Sequence, residues 1–113
     1  MKMYRYIWKI TLRDGITEQD LIDHWRESST VLQEYPGALG THLHRTRGEE
    51  NGYFAVAEWE SQAARDAMMD DLHAGQSDRS KRWLKFANND DFGLVDPRFA
   101  GEEIGVVLPE NQK

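Results

Sequence analysis

From Met3 to Leu12 the large side chains fall on alternate positions, with Tyr4, Tyr6, Trp8, Ile10 and Leu12 on one side and Arg5, Lys9 and Thr11 on the other. Successive side chains of a strand point to opposite faces, so this period of two, rich in aromatic and β-branched residues, reads as a strand. Its two faces differ in character, which demands a sheet covered on one side. Arg13-Asp14-Gly15 breaks the pattern, and Thr17 with Asp20 three residues on resembles a capping box. Leu21, Trp25, Ser28, Ser29 and Leu32 then recur at helical spacing beside polar Asp23, Arg26, Glu27 and Gln33, and this helix closes near Tyr35-Pro36-Gly37.

Leu39 to Arg47 and Tyr53 to Glu60 flank the polar turn Gly48-Glu49-Glu50-Asn51-Gly52, a pattern that predicts a hairpin. Centring it on Glu50 puts His42 opposite Glu58 and His44 opposite Val56. Ser61 is placed to cap a second helix with the stripe Ala64, Ala67, Met68 and Leu72, and Gly75 interrupts it. Ser77 opens a further short helix bearing Trp83, Leu84 and Phe86. Asn88-Asn89-Asp90-Asp91, Gly93, Pro97 and Gly101 mark an irregular segment, Ile104 to Leu108 supplies the last strand, and Pro109 to Lys113 forms a polar tail. The order is strand, helix, strand, strand, helix, strand: an α+β domain of ferredoxin-like type over residues 1–108, with one antiparallel sheet and helices on one face. The other face stays uncovered, and pairing it with a second copy predicts a homodimer.

The 113 residues supply one core, with 39% apolar and 30% charged residues in the range of a folded protein. Zero cysteines exclude disulfides, thiolate metal sites and a thiol nucleophile. A net charge of −6 argues against a nucleic-acid partner, and the cluster Arg79, Lys81, Arg82 and Lys85 reads as a solvated helix face. No apolar run approaches the roughly 20 residues that span a bilayer, and the start lacks a signal-peptide pattern, so no membrane partner and a cytoplasmic location are expected. Phosphate-binding glycine signatures are absent, and no pattern calls for a flavin, haem or metal cofactor.

Tyr35-Pro36-Gly37-Ala38-Leu39-Gly40 after an amphipathic helix, then Tyr53-Phe54-Ala55-Val56-Ala57-Glu58-Trp59-Glu60-Ser61 running into an Ala-rich helix, resembles the antibiotic biosynthesis monooxygenase family of dimeric α/β barrels. The resemblance runs from Thr17 to Met69. It implies a domain that in some members oxidises an aromatic polyketide with molecular oxygen and no bound cofactor, and in others degrades haem. The haem-degrading pattern fits less well, because the first strand has no Asn and the nearest His after Trp59, His73, stands too far along. His24-Trp25-Arg26-Glu27 also resembles the helix of the related EthD-type proteins, with Ser28 and Ser29 where their His is expected.

Oxygenation without a cofactor needs a substrate that deprotonates to a stabilised carbanion, a proton acceptor or an oxyanion donor, and an apolar pocket that excludes water. The pocket candidates are Trp59, which matches the family motif, with Tyr6, Trp8, Trp25, Phe54, Met68 and Trp83; aromatic residues like these also serve as plain core. His42 and His44 project from one face of their strand, and His42 oriented by Glu58 is the candidate general base. The same pair also reads as a polar contact across an exposed or dimer face. A two-His-one-carboxylate metal set of His42, His44 and Glu58 is a weaker alternative, and His24 and His73 read as surface groups. Two functions follow: a small cofactor-independent monooxygenase acting on an aromatic phenol or quinol, or a non-catalytic, ligand-binding or stress-associated dimer that holds a small hydrophobic molecule in the same pocket.

Overall fold

Capping fixes where each helix begins. The Thr17 hydroxyl accepts from the Asp20 amide at 3.1 Å while the Asp20 carboxylate accepts from the Thr17 amide at 2.9 Å, so two otherwise orphaned donors are satisfied reciprocally. Ser61 accepts from the Ala64 amide at 3.1 Å, and Ser77 from the Ser80 amide at 3.0 Å. Gly75 ends the second helix at φ 69°, the left-handed conformation that glycine adopts without steric cost. The computed structural model describes residues 3–87 and 93–110. It comprises β1 (Tyr4–Leu12), α1 (Glu18–Leu32), β2 (Ala38–Arg45), β3 (Gly52–Trp59), α2 (Gln62–Ala74), α3 (Asp78–Ala87) and β4 (Gly93–Glu102).

The sheet runs β2-β3-β1-β4 with every neighbouring pair antiparallel, which is the ferredoxin-like α+β order expected from the sequence. Paired residues share a face, so Tyr4 with Trp59, Trp8 with Ala55 and Ile10 with Tyr53 turn together toward the helices. Two core clusters result. Ile10, Leu12, Tyr53 and Ala55 meet Leu21 of α1, while Tyr4, Tyr35 and Trp59 meet Met68 and Leu72 of α2. The α3 helix packs against both other helices. The thinnest dimension is 21 Å, the depth of one sheet and one helix layer, so the second face of the sheet has no cover among the described residues.

Polar ties hold the layers in place. Both guanidinium arms of Arg45 reach Glu18 at 2.7 Å, and with the Tyr53 hydroxyl they hold the Glu18 carboxyl down to about 2. Tyr35 and Ser77 both donate to Asp71, fixing the junction of α2 and α3.

Two expectations are corrected. The last strand is Gly93–Glu102, not Ile104 to Leu108. Gly93, Pro97 and Gly101 read as breakers, yet this is an edge strand, where proline's missing N–H costs no ladder bond, and a bulge absorbs the irregularity: Ile7 pairs with Phe99 and Trp8 with Pro97, leaving Arg98 extra. Residues 104–109 leave the sheet as an unpaired arm. Asn88 to Asp91 lie outside the described residues. The hairpin register also differs: His42 pairs with Val56 and His44 with Phe54, because the turn centres one residue earlier and so moves each partner by two; a bulge at Leu39, farther from the turn, shifts only the pairing of Ala38.

Candidate active site

Between the two core clusters the helix face of the sheet is not filled, and a cavity of about 330 Å³ remains, within the range of small-molecule sites. Its floor is Tyr6 and Trp8 of β1, whose ring centres stand 5.8 Å apart, and Trp59 of β3. Trp25 from α1, Met68 from α2 and Trp83 from α3 form the walls. All four tryptophans of the chain therefore line one space.

Polar groups are few. The Trp25 indole nitrogen is buried without a hydrogen-bond partner among the described residues. Ser28 spends its hydroxyl on the helix backbone, donating to the carbonyls of His24 and Trp25. His24 lines the cavity with its ring edge-on to Phe86 at 5.9 Å, and burial pushes its imidazole pKa down against the opposing pull of Glu27. The Arg65 guanidinium lies 4.0 Å over the ring of Tyr6. Among the described residues no Asp or Glu lines the cavity.

Of the residues singled out in the sequence, Tyr6, Trp8, Trp25, Trp59, Met68 and Trp83 come together here. Phe54 does not. It pairs with Lys9 and so belongs to the opposite, open face. His42 and Glu58 do meet, Nε2 to Oε1 at 3.4 Å, but as diagonal neighbours on that open face, with His42 60% exposed. Glu58 already accepts from Arg5 at 2.9 Å, so its charge is compensated before His42 reaches it. Trp59 follows Glu58 and points the other way; no bulge in β3 re-aims either, and within one chain the pair and the tryptophan do not share a cavity. Among the described residues no three His, Asp or Glu side chains gather as a metal set.

Two cavity residues escape a reading by residue type. His24, expected at the surface, sits on the stripe Leu21, His24, Trp25, Ser28, and Arg65 on the stripe Arg65, Met68, Met69, Leu72. Helical spacing alone places both inward. A wider surface groove of about 410 Å³ runs beside Tyr35 and Arg79, but its Tyr35, Ser77 and Asp71 side chains are already bonded to one another.

No curated protein matches the chain in sequence. Among solved structures, a mutant of SnoaB, a cofactor-independent oxygenase from Streptomyces nogalater, superposes with a TM-score of 0.71 at 16% identity, covering 97% of this chain and 100% of that one. PA3566 from Pseudomonas aeruginosa gives 0.66 at 18% identity over 93% and 97% of the two chains. A proposed antibiotic biosynthesis monooxygenase from Bordetella bronchiseptica gives 0.67 at 21% identity over 95% and 100%. Identities this low establish the shared fold and leave the chemistry to the site. The antibiotic biosynthesis monooxygenase family model matches residues 3–76, the stretch that carries β1 through α2, and the chain belongs to that family.

Proposed function

We propose that the chain is a cofactor-independent monooxygenase that takes a planar aromatic phenol or quinol of polyketide type into the cavity between sheet and helices. The observation that carries this reading is the cavity itself: four tryptophans and Tyr6 around one apolar space, in a family whose structural relatives include an oxygenase described as cofactor-independent. An anthrone-type substrate supplies its own electrons. Loss of a C–H proton gives a carbanion delocalised onto the ring oxygen; the carbanion bonds to O₂ to form a hydroperoxide; loss of the second C–H proton then breaks the O–O bond, leaving a ketone and one water. The protein's part is to hold the ring, exclude water and stabilise the developing oxyanion.

An oxygen electrode tests this with anthrone and purified protein, without flavin or metal. The expected result is one O₂ consumed per quinone formed, at a rate about 10²-fold or more above the protein-free reaction. A cavity lined, among the described residues, by no carboxylate favours a second reading, a module that holds the ligand without turnover. Binding of anthrone with no added O₂ uptake would favour that module.

A homodimer belongs to the same proposal. The open face presents Ile7, Phe54, Val56 and Phe99, and the arm beyond β4 adds Ile104 at 88% and Val107 at 95% exposure, apolar surface that a lone chain leaves in water. Covering it with the same surface of a second copy is the closed, symmetric solution. Light scattering should give about twice 13.1 kDa, and Val56→Glu, a charge at the centre of that face, should return the monomer. A wild-type monomer that persists at high protein concentration would contradict the dimer.

A further inference from the structure

We propose that the cavity takes its aromatic ligand as an anion, with a phenolate, enolate or carboxylate oxygen set against the Arg65 guanidinium. The inference rests on the cavity being the ligand site, and it adds the charge of what enters. Arg65 shares a helical stripe with Met68, Met69 and Leu72, so a permanently charged side chain occupies a position whose neighbours face the core. It is half-buried, and its guanidinium lies over the face of the Tyr6 ring at 4.0 Å. A cation over a ring face is attracted by the quadrupole without spending its N–H donors.

The other partly paired arginines show what is unusual here. Arg5, Arg45, Arg79, Arg82 and Arg98 each stand within ion-pair distance of a carboxylate. Arg65 has no such partner among the described residues, whereas Arg13, Arg26 and Arg47, which also lack one there, are exposed. It is also the one permanently charged side chain among the described residues that line the cavity. A guanidinium beside aromatic walls acts in a lower effective dielectric than at the surface, and its planar fork matches an oxyanion in two hydrogen bonds. The site therefore has a cationic donor, an aromatic floor and, among the described residues, no counter-charge, which is the complement of an aromatic anion.

Calorimetric titration with 2-naphthoate and 2-naphthamide, the same ring system with and without charge, tests this. At pH 7.5 and low salt the naphthoate should bind the wild-type protein about tenfold or more tightly than the naphthamide. Raising the salt to about 0.5 M should shrink that preference by screening. Arg65→Gln should abolish it, and Arg65→Lys should keep part of it. Equal affinity of the two probes for the wild-type protein, or a preference that survives both salt and Arg65→Gln, would overturn the inference while leaving the cavity as the site. Failure of both probes to bind would overturn the cavity reading and this inference together.

Discussion

Trp59→Ala should lower the stability of the protein by about 3–5 kcal/mol, the range for deleting a large buried aromatic side chain. Trp59 is 2% exposed, pairs across the sheet with Tyr4 and Ala38, and packs with Tyr35, Met68 and Leu72. It is at once a core residue and a cavity wall, so the space left by truncation joins a cavity already present and the surroundings have little reason to collapse into it. A small domain is stable by about 5–15 kcal/mol in all, so urea unfolding should show a large drop in midpoint. A loss below about 1 kcal/mol would mean that Trp59 does not bridge the sheet and α2 as described.

Gly37→Ala should cost about 2–5 kcal/mol, from two separate causes. Gly37 sits at φ +87°, where an L side chain costs about 1–2 kcal/mol. A Cβ there would also stand 2.5 Å from that of Ala64, and such overpacking typically adds about 1–3 kcal/mol. The loop cannot simply retreat, because the Gly37 carbonyl accepts from the Glu60 amide at 2.8 Å and so ties the entry of β2 to the start of α2. The two causes can be separated. Adding Ala64→Gly removes the clash but not the backbone strain, and it should recover part of the loss even after the roughly 1 kcal/mol that glycine costs inside a helix. If the double variant is no more stable than the additive sum of the two single changes, the clash with Ala64 is not the cause.

These two positions also show what the sequence made legible. Tyr35-Pro36-Gly37 and the Trp59-Glu60-Ser61 turn were readable because their chemistry is local: a left-handed glycine, a serine cap, a tryptophan on a strand of fixed parity. The capping box of Thr17 and Asp20 was legible for the same reason. β4 was not. Alternation along Ile104, Val106 and Leu108 states how a segment would sit if it were paired, and says nothing about whether a partner strand exists. Pro97 was read as a breaker because a single sequence does not distinguish an edge strand, where it is tolerated, from a central one. The His42 register failed by two residues because the turn centres on Glu49 rather than Glu50, and a run of polar turn residues does not mark its own centre. Phe54 was placed by type, where parity with Lys9 assigns it to the other face. His24 and Arg65 were passed over for the converse reason, since their polarity outweighed positions that helical spacing points inward.

The proposed oxidation belongs to the cavity on the helix side of the sheet. The direct measurement is steady-state oxidation of anthrone by Trp59→Phe and His42→Ala, each shown to be folded by circular dichroism. The cavity account predicts that Trp59→Phe raises KM, because the wall of the site changes shape, while His42→Ala leaves kcat and KM within about twofold. A folded His42→Ala protein that loses about 10²-fold in kcat would place the proton acceptor on the open face and contradict the account.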